Sequence, residues 1–169
     1  MARKWVISSQ EVGVQNIADT ETVQKMPLGL VVTAKDSDYG AAANDKGVGE
    51  FIYLKGVGST VAGSWVTYNP DDWTTNLLAA NAIGSVAVAL SANVANQFGW
   101  YQIKGKAIGS ALAGYVDNAL VFATATPGSV DDAVVAGDRV KNALGASNLS
   151  GSTAEFEIDH PFMDDGTAA

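Results

Sequence analysis

The sequence predicts an all-β domain, either a β-sandwich or a β-barrel-like fold built from hairpins, and three observations carry that prediction. Charged residues make up only 17% of the chain, well below the roughly 25% of ordinary globular proteins. Gly, Ala, Ser, Thr and Asn are abundant, the make-up of strands joined by tight turns. Short runs rich in β-branched and aromatic residues recur about every ten residues between Gly, Asn, Asp and Pro, the rhythm of a sandwich or barrel. With 169 residues, 47% of them hydrophobic, the chain is long enough to bury a real core.

The strand candidates run in order from Lys4 to Ser8, Leu28 to Ala34, Gly49 to Val57, Ser64 to Asn69 and Val86 to Ser91. They continue with Gly99 to Ile108, Leu120 to Thr126, Arg139 to Ala143 and Ala154 to Asp159. In the last, Phe156 and Ile158 alternate with Glu155, Glu157 and Asp159, the period-2 pattern of a half-buried strand, so Phe156 and Ile158 should face inward.

At most one or two short helical turns are expected. Over Ser129 to Leu144 a capping-box-like start precedes Val134, Val135 and Val140, but Gly137-Asp138 interrupts it. A mid-helix glycine costs about 1 kcal/mol relative to alanine, and the valines favour an extended chain with a turn. Over Pro70 to Asn81, Asp71-Asp72 at a possible helix start predicts one short turn of helix.

Residues 1–26 mix polar residues with isolated Val and Ile. They read as an extended N-terminal arm or an edge strand ahead of a β-rich domain over 27–169. Phe51-Ile52-Tyr53-Leu54-Lys55-Gly56 and Trp100-Tyr101-Gln102-Ile103-Lys104-Gly105 form a weak internal repeat, each followed by an aliphatic-Ala-Gly triplet. Each unit reads as an aromatic-rich strand turning back into a return strand such as Ser64 to Tyr68.

Charge and composition narrow the function. The net charge of −8, with the cations scattered, predicts repulsion from nucleic acid. The absence of cysteine removes disulfides, thiolate catalysis and the usual zinc sites. The start, MARKWVISSQEVGV, lacks the apolar stretch of a Sec-type signal, so retention in the cytoplasm is expected. The longest purely apolar run, Val86 to Leu90, falls far short of the ~20 residues that span a bilayer, so no membrane partner is expected.

Candidate chemistry is sparse. The one histidine, His160, lies between Asp159 and Pro161, and a solvent-facing position at a strand end is expected, with its backbone extended by the proline. No serine lies in Gly-x-Ser-x-Gly. The acidic groups Asp36-Ser37-Asp38, Asp71-Asp72, Asp131-Asp132 and Asp164-Asp165 lack the spacing of a calcium loop and read as solvated turn aspartates. The glycine-rich stretches lack the spacing of a phosphate cradle. No catalytic residue, metal site or cofactor is therefore expected. The aromatics Trp5, Tyr53, Trp65, Tyr68, Trp73, Phe98, Trp100 and Tyr101 could line a sugar-stacking groove, but strand alternation favours core or subunit interface. As interface candidates the sequence offers Trp5, Phe51, Tyr53, Trp65, Trp73, Trp100 and Tyr101.

One resemblance adds to this reading. Leu28-Gly29, Asp36, the run from Gly49 to Gly56, Val86-Ala87-Val88-Ala89, the run from Gly99 to Gly105, Ala136-Gly137-Asp138, Glu157-Ile158 and Pro161-Phe162 together resemble the decoration, or cement, proteins of tailed-bacteriophage capsids. The likeness spans Leu28 to Phe162 as a pattern of turns and aromatics and carries over no binding residue. It implies a β-rich virion subunit, commonly a homotrimer, with the major capsid protein as its partner. Such a subunit assembles in the host cytoplasm, sits on the capsid exterior and braces the expanded shell against packaged DNA. A glycan- or receptor-binding module of a phage tail or fibre is the alternative, and a hydrolase with a carboxylate pair is a third reading.

Overall fold

The computed structural model describes residues 5–7, 15–36 and 46–164, with the backbone alone at 5–7. The chain is all-β: eleven strands and no helix among the described residues. They are β1 (Trp5–Ile7), β2 (Val31–Asp36), β3 (Val48–Lys55), β4 (Trp65–Tyr68), β5 (Thr75–Leu77) and β6 (Gly84–Ala89), followed by β7 (Phe98–Ser110), β8 (Leu120–Ala123), β9 (Val130–Asp131), β10 (Arg139–Gly145) and β11 (Thr153–Met163).

The strands join in one antiparallel sheet that branches. Strands β6, β7 and β11 each pair with the other two: Val88 lies opposite Gln102, Phe162 opposite Ser85, and Ile158 opposite Gly105. Three mutually antiparallel strands cannot lie in one flat sheet, because two such pairings leave the outer strands parallel. The strands resolve this by switching partners along their length. The first half of β7 runs between β3 and β6, and its second half runs beside β11. One layer is then β1-β2-β3-β7-β6-β4-β5 and the other β7-β11-β10-β8-β9. The backbone bends where the partners change: Gly105 (φ +97°) and His160 (φ +51°) lie in the left-handed region, and the ladder slips between Glu50 and Phe51. A Cβ at Gly105 would approach the Val48 carbonyl to 2.6 Å, so this crossing requires glycine.

Alternation sorts the apolar residues into three clusters. Trp65, Val86 and Val88 pack against Val121, Val140, Phe156 and Ile158 between the layers. The tryptophan meets Phe156 edge-on at 4.9 Å between ring centroids. On the far side of the first layer, Ile52, Leu54, Val66, Tyr101 and Ile103 form a second cluster. Phe51, Tyr53, Trp100 and Val32 form a third with Ile17. Phe156 and Ile158 face inward as the alternation required.

Residues 15–26 are stitched into this body. The Trp100 indole donates to the Gln15 carbonyl (3.0 Å) and the Tyr53 hydroxyl to Gln15 Oε1 (2.9 Å), while Glu21 and Phe98 exchange backbone hydrogen bonds. Residues 1–4 and 8–14 of the expected arm lie outside the described residues. Gln15→Ala should cost about 1–2 kcal/mol in urea unfolding, because it removes the acceptor of a buried phenol.

Two sequence expectations change. The Ser64–Tyr68 strand does not return beside β3. It pairs with β5 and β6, and the two repeat units lie against each other instead, Tyr53 opposite Trp100 and Ile52 opposite Tyr101. The reason is burial on both faces: β3 is a central strand, and its rings pack best on the matching rings of β7, with Tyr53 and Trp100 5.1 Å apart edge-on. Over Pro70 to Asn81 the expected helical turn is a polar turn leading into β5. There the Asn69 and Asp72 side chains accept the Asp71 and Thr74 backbone N–H groups, local bonds that compete with a helix. Ser129 to Leu144 is extended with a turn, as β9 and β10.

Candidate functional site

Strand alternation places most of the interface candidates inside the chain. Phe51, Tyr53, Trp65, Trp100 and Tyr101 are fully buried and belong to the core of the chain. Trp65 packs in the cluster between the layers, Phe51, Tyr53 and Trp100 pack with Val32 and Ile17, and Tyr101 packs in the cluster with Ile52 and Leu54. Trp73 is half-buried, packed over Gly29 and stacked on Tyr68 at 6.4 Å. Trp5 lies in β1, and its side chain falls outside the described residues. Burial pushes the Tyr101 phenol up to about 12, and burial, helped by nearby Asp132, Asp131 and Asp117, raises that of Tyr115.

The acidic groups scatter. Asp36 is not a solvated turn residue: it is buried at the end of β2, where its carboxylate accepts the Lys46 N–H. Ser37, Asp38 and Asp165 fall outside the described residues. Asp72 accepts the hydroxyl and backbone N–H of Thr74, which hold its carboxyl below the ordinary range. Asp132 accepts the Val116 N–H, and Asp164 pairs with Lys141.

What the fold does bring together lies at the sheet branch. A cleft of about 470 Å³ opens there between β3, β7 and β11, lined by Val48, Glu50, Lys104, Lys106, Ile158 and Asp159 among others. Register sets its charges: Lys104 lies opposite Asp159 and Lys106 opposite Glu157. Lys104 Nζ is 3.4 Å from Asp159, and Lys106 Nζ 3.7 Å from Glu155, which also pairs with the buried Lys46.

His160 caps this array. It stands inside β11, which runs on to Met163, and not at a strand end as the sequence suggested; its backbone is left-handed despite Pro161. The bulge at the branch outweighs the proline's preference, and histidine tolerates that region better than most residues. Its Nδ1 is 3.0 Å from Asp159 Oδ1 and its Nε2 3.4 Å from Glu50 Oε2. The hydrogen bond from His160, followed by that from Lys104, holds the Asp159 carboxyl below its ordinary value. Both ring nitrogens therefore face carboxylates, leaving neither aimed at a hydroxyl as a serine triad requires. Among the described residues no three His, Cys, Asp or Glu side chains are placed to hold a metal ion. Glu50 and Asp159 reach different nitrogens of one ring and do not converge on a point. Glu50 carries no signal in the sequence, since only the β3–β7–β11 register brings it to the histidine.

Fold and cleft thus define an all-β protein with a mixed-charge groove at a branch in its sheet. No protein-family model, curated protein or solved structure matches the chain.

Proposed function

We propose that this chain is a structural virion protein that binds the outer surface of a tailed-phage capsid and stabilises the expanded shell. The observation that carries the reading is where the apolar surface lies. Most large rings are consumed inside, while aliphatic side chains stand out on the surface, Val23, Val48 and Val61 among them, and four stand on or beside loops that hydrogen bonds tie together. Val134 is 80% exposed and Ile83 69%, with Val116 and Val135 also exposed. These loops are fastened to one another: the Asp138 carboxylate accepts the Asn81 N–H at 2.5 Å, and Asp132 accepts that of Val116. A firm rim of aliphatic groups loses little entropy on docking, the property wanted in a subunit that grips a preformed shell. The sequence resemblance and the net charge of −8 support the same reading. Many identical copies on a symmetric lattice turn weak single contacts into tight retention.

The test is co-sedimentation with expanded phage heads. The chain should pellet with the heads and show no tryptophan fluorescence change with oligosaccharides; failure to pellet with any expanded head overturns the reading. The double variant Val134→Asp, Val135→Asp should abolish pelleting while changing stability by no more than about 0.5 kcal/mol, because both side chains are exposed.

A further inference from the structure

The geometry points to the outer face of the sheet branch as a contact between two copies of this chain, related by a two-fold axis that runs along the strands midway between β7 and β11. The inference does not rest on what else the protein binds. One row across the face shows the pattern. Lys106 lies opposite Glu157, and Glu157 lies opposite Leu144. Carrying the Glu50–Lys104 register two residues on sets Val48 on the other flank of Lys106, and both line the cleft. Directly opposed residues of antiparallel strands point to the same side. From β3 to β10 the row therefore reads aliphatic, cation, anion, aliphatic. Val48 is 61% exposed and Leu144 37%, so both ends of the row face outward. The next row sets Lys104 opposite Asp159 and repeats the cation and the anion in the same order. The two lysines make a positive column on β7, and the two carboxylates a negative column on β11.

Such a face is its own complement under one kind of half-turn. Rotation about an axis parallel to the strands, set between β7 and β11, lays the lysine column of one copy over the carboxylate column of the other. The same rotation lays Val48 of one copy over Leu144 of the other. A half-turn about an axis across the strands would instead set lysine on lysine. Charge thus selects the first arrangement, an isologous contact that closes as a pair. Each ammonium then has one carboxylate beside it and another across from it. An alternating network of this kind holds where a lone exposed pair contributes little. Gly49 and Gly105 carry no side chain into the cleft between them, which leaves room for the side chains of the second copy. With a net charge of −8 the copies repel one another over most of their surface, so the contact is confined to a face that balances its own charges.

Light scattering coupled to size exclusion tests this by reading the mass in solution. At about 100 μM protein and low ionic strength the native chain should show twice the mass of one chain, falling toward the single-chain mass in about 0.5 M NaCl, where exposed charges are screened. The variant Lys104→Glu, Lys106→Glu makes both columns negative, and Glu157→Lys, Asp159→Lys makes both positive. Each should lose the doubled mass, with association weakened by about tenfold or more, because like charges then face each other. An equimolar mixture of the two variants should regain it. The variant carrying all four substitutions exchanges the columns, keeps opposite charges paired within the chain, and should double in mass as the native chain does. A native chain that stays single at this concentration, reversals that leave its mass unchanged, or a mixture that stays single overturns the proposal.

Discussion

Gly56→Ala should cost the fold about 3 kcal/mol, while Gly58→Ala, two residues on, should change stability by less than about 1 kcal/mol. Gly56 ends the run of β3, where its N–H donates to the Gln97 carbonyl. A Cβ there would stand 1.9 Å from the Asn93 carbonyl oxygen and 2.6 Å from its carbon. Those are backbone atoms, which no rotamer change can move aside. Asn93 itself is fully buried and wedged from the other side by Gly99, where a Cβ would meet its side chain at 2.3 Å. An alanine at Gly56 must therefore displace the backbone around Asn93, whose side chain lies beside the buried Tyr101 phenol. At Gly58 nothing lies within 4 Å of the added carbon, and φ is not positive. Urea unfolding followed by tryptophan fluorescence separates the two. Equal effects at Gly56 and Gly58 would mean that the loop does not pack as described.

The second large effect is expected at Phe156. Its ring sits at the centre of the inter-layer core, edge-on to Trp65 at 4.9 Å and tilted against Tyr115 at 5.2 Å. It comes from β11, while Trp65 comes from β4 and Tyr115 from the loop after β7. Phe156→Ala removes a ring held from three directions and should cost about 3–5 kcal/mol, the range for a large aromatic in a core that cannot collapse around the space. Phe156→Leu should recover more than half of that loss. Chemical denaturation of both variants checks the pair, and a loss below about 1 kcal/mol for the alanine would contradict this packing. Among the described residues the Trp65 indole N–H finds no hydrogen-bond partner, so shape and the ring quadrupoles set how the two rings meet.

Much of the strand layout was legible. Every strand expected from β-branched and aromatic runs overlaps an observed one, because those runs are buried on one or both faces and bounded by real turns. The strand that the sequence concealed is β5, of three residues, while β9, of two, lies inside the stretch read as extended with a turn but with no strand bounds of its own. Thr75-Asn76-Leu77 and Val130-Asp131 are too short for a period to show, and they are strands only because β4 and β8 lie beside them. The partner of β4 was misjudged for a similar reason: a turn signal such as Val61-Ala62-Gly63 says that the chain bends, and it does not say which edge the chain reaches next.

The site was less legible than the fold. The tryptophans and tyrosines read as candidates for contact because the sequence shows their size and not the number of layers around them. Conversely, the charged cleft is built from Glu50, Lys104 and Asp159, with His160 beside them, residues that are ordinary where they stand in the chain and meet only through register. A histidine before a proline with an aspartate before it was the one visible hint, and the left-handed bulge that aims its ring has no sequence signature.

The branched sheet also bears on how the molecule is made. Strands β6 and β7 emerge from the ribosome well before β11, yet β11 supplies the neighbour that each lacks along part of its length. Until the segment from Thr153 to Met163 has been synthesised, those ladder positions stay open and one wall of the core, including Phe156, is missing. Nascent chains should therefore remain protease-sensitive until that segment has left the ribosome and then acquire resistance in a single step, at the slow rates typical of sequence-distant strand pairing.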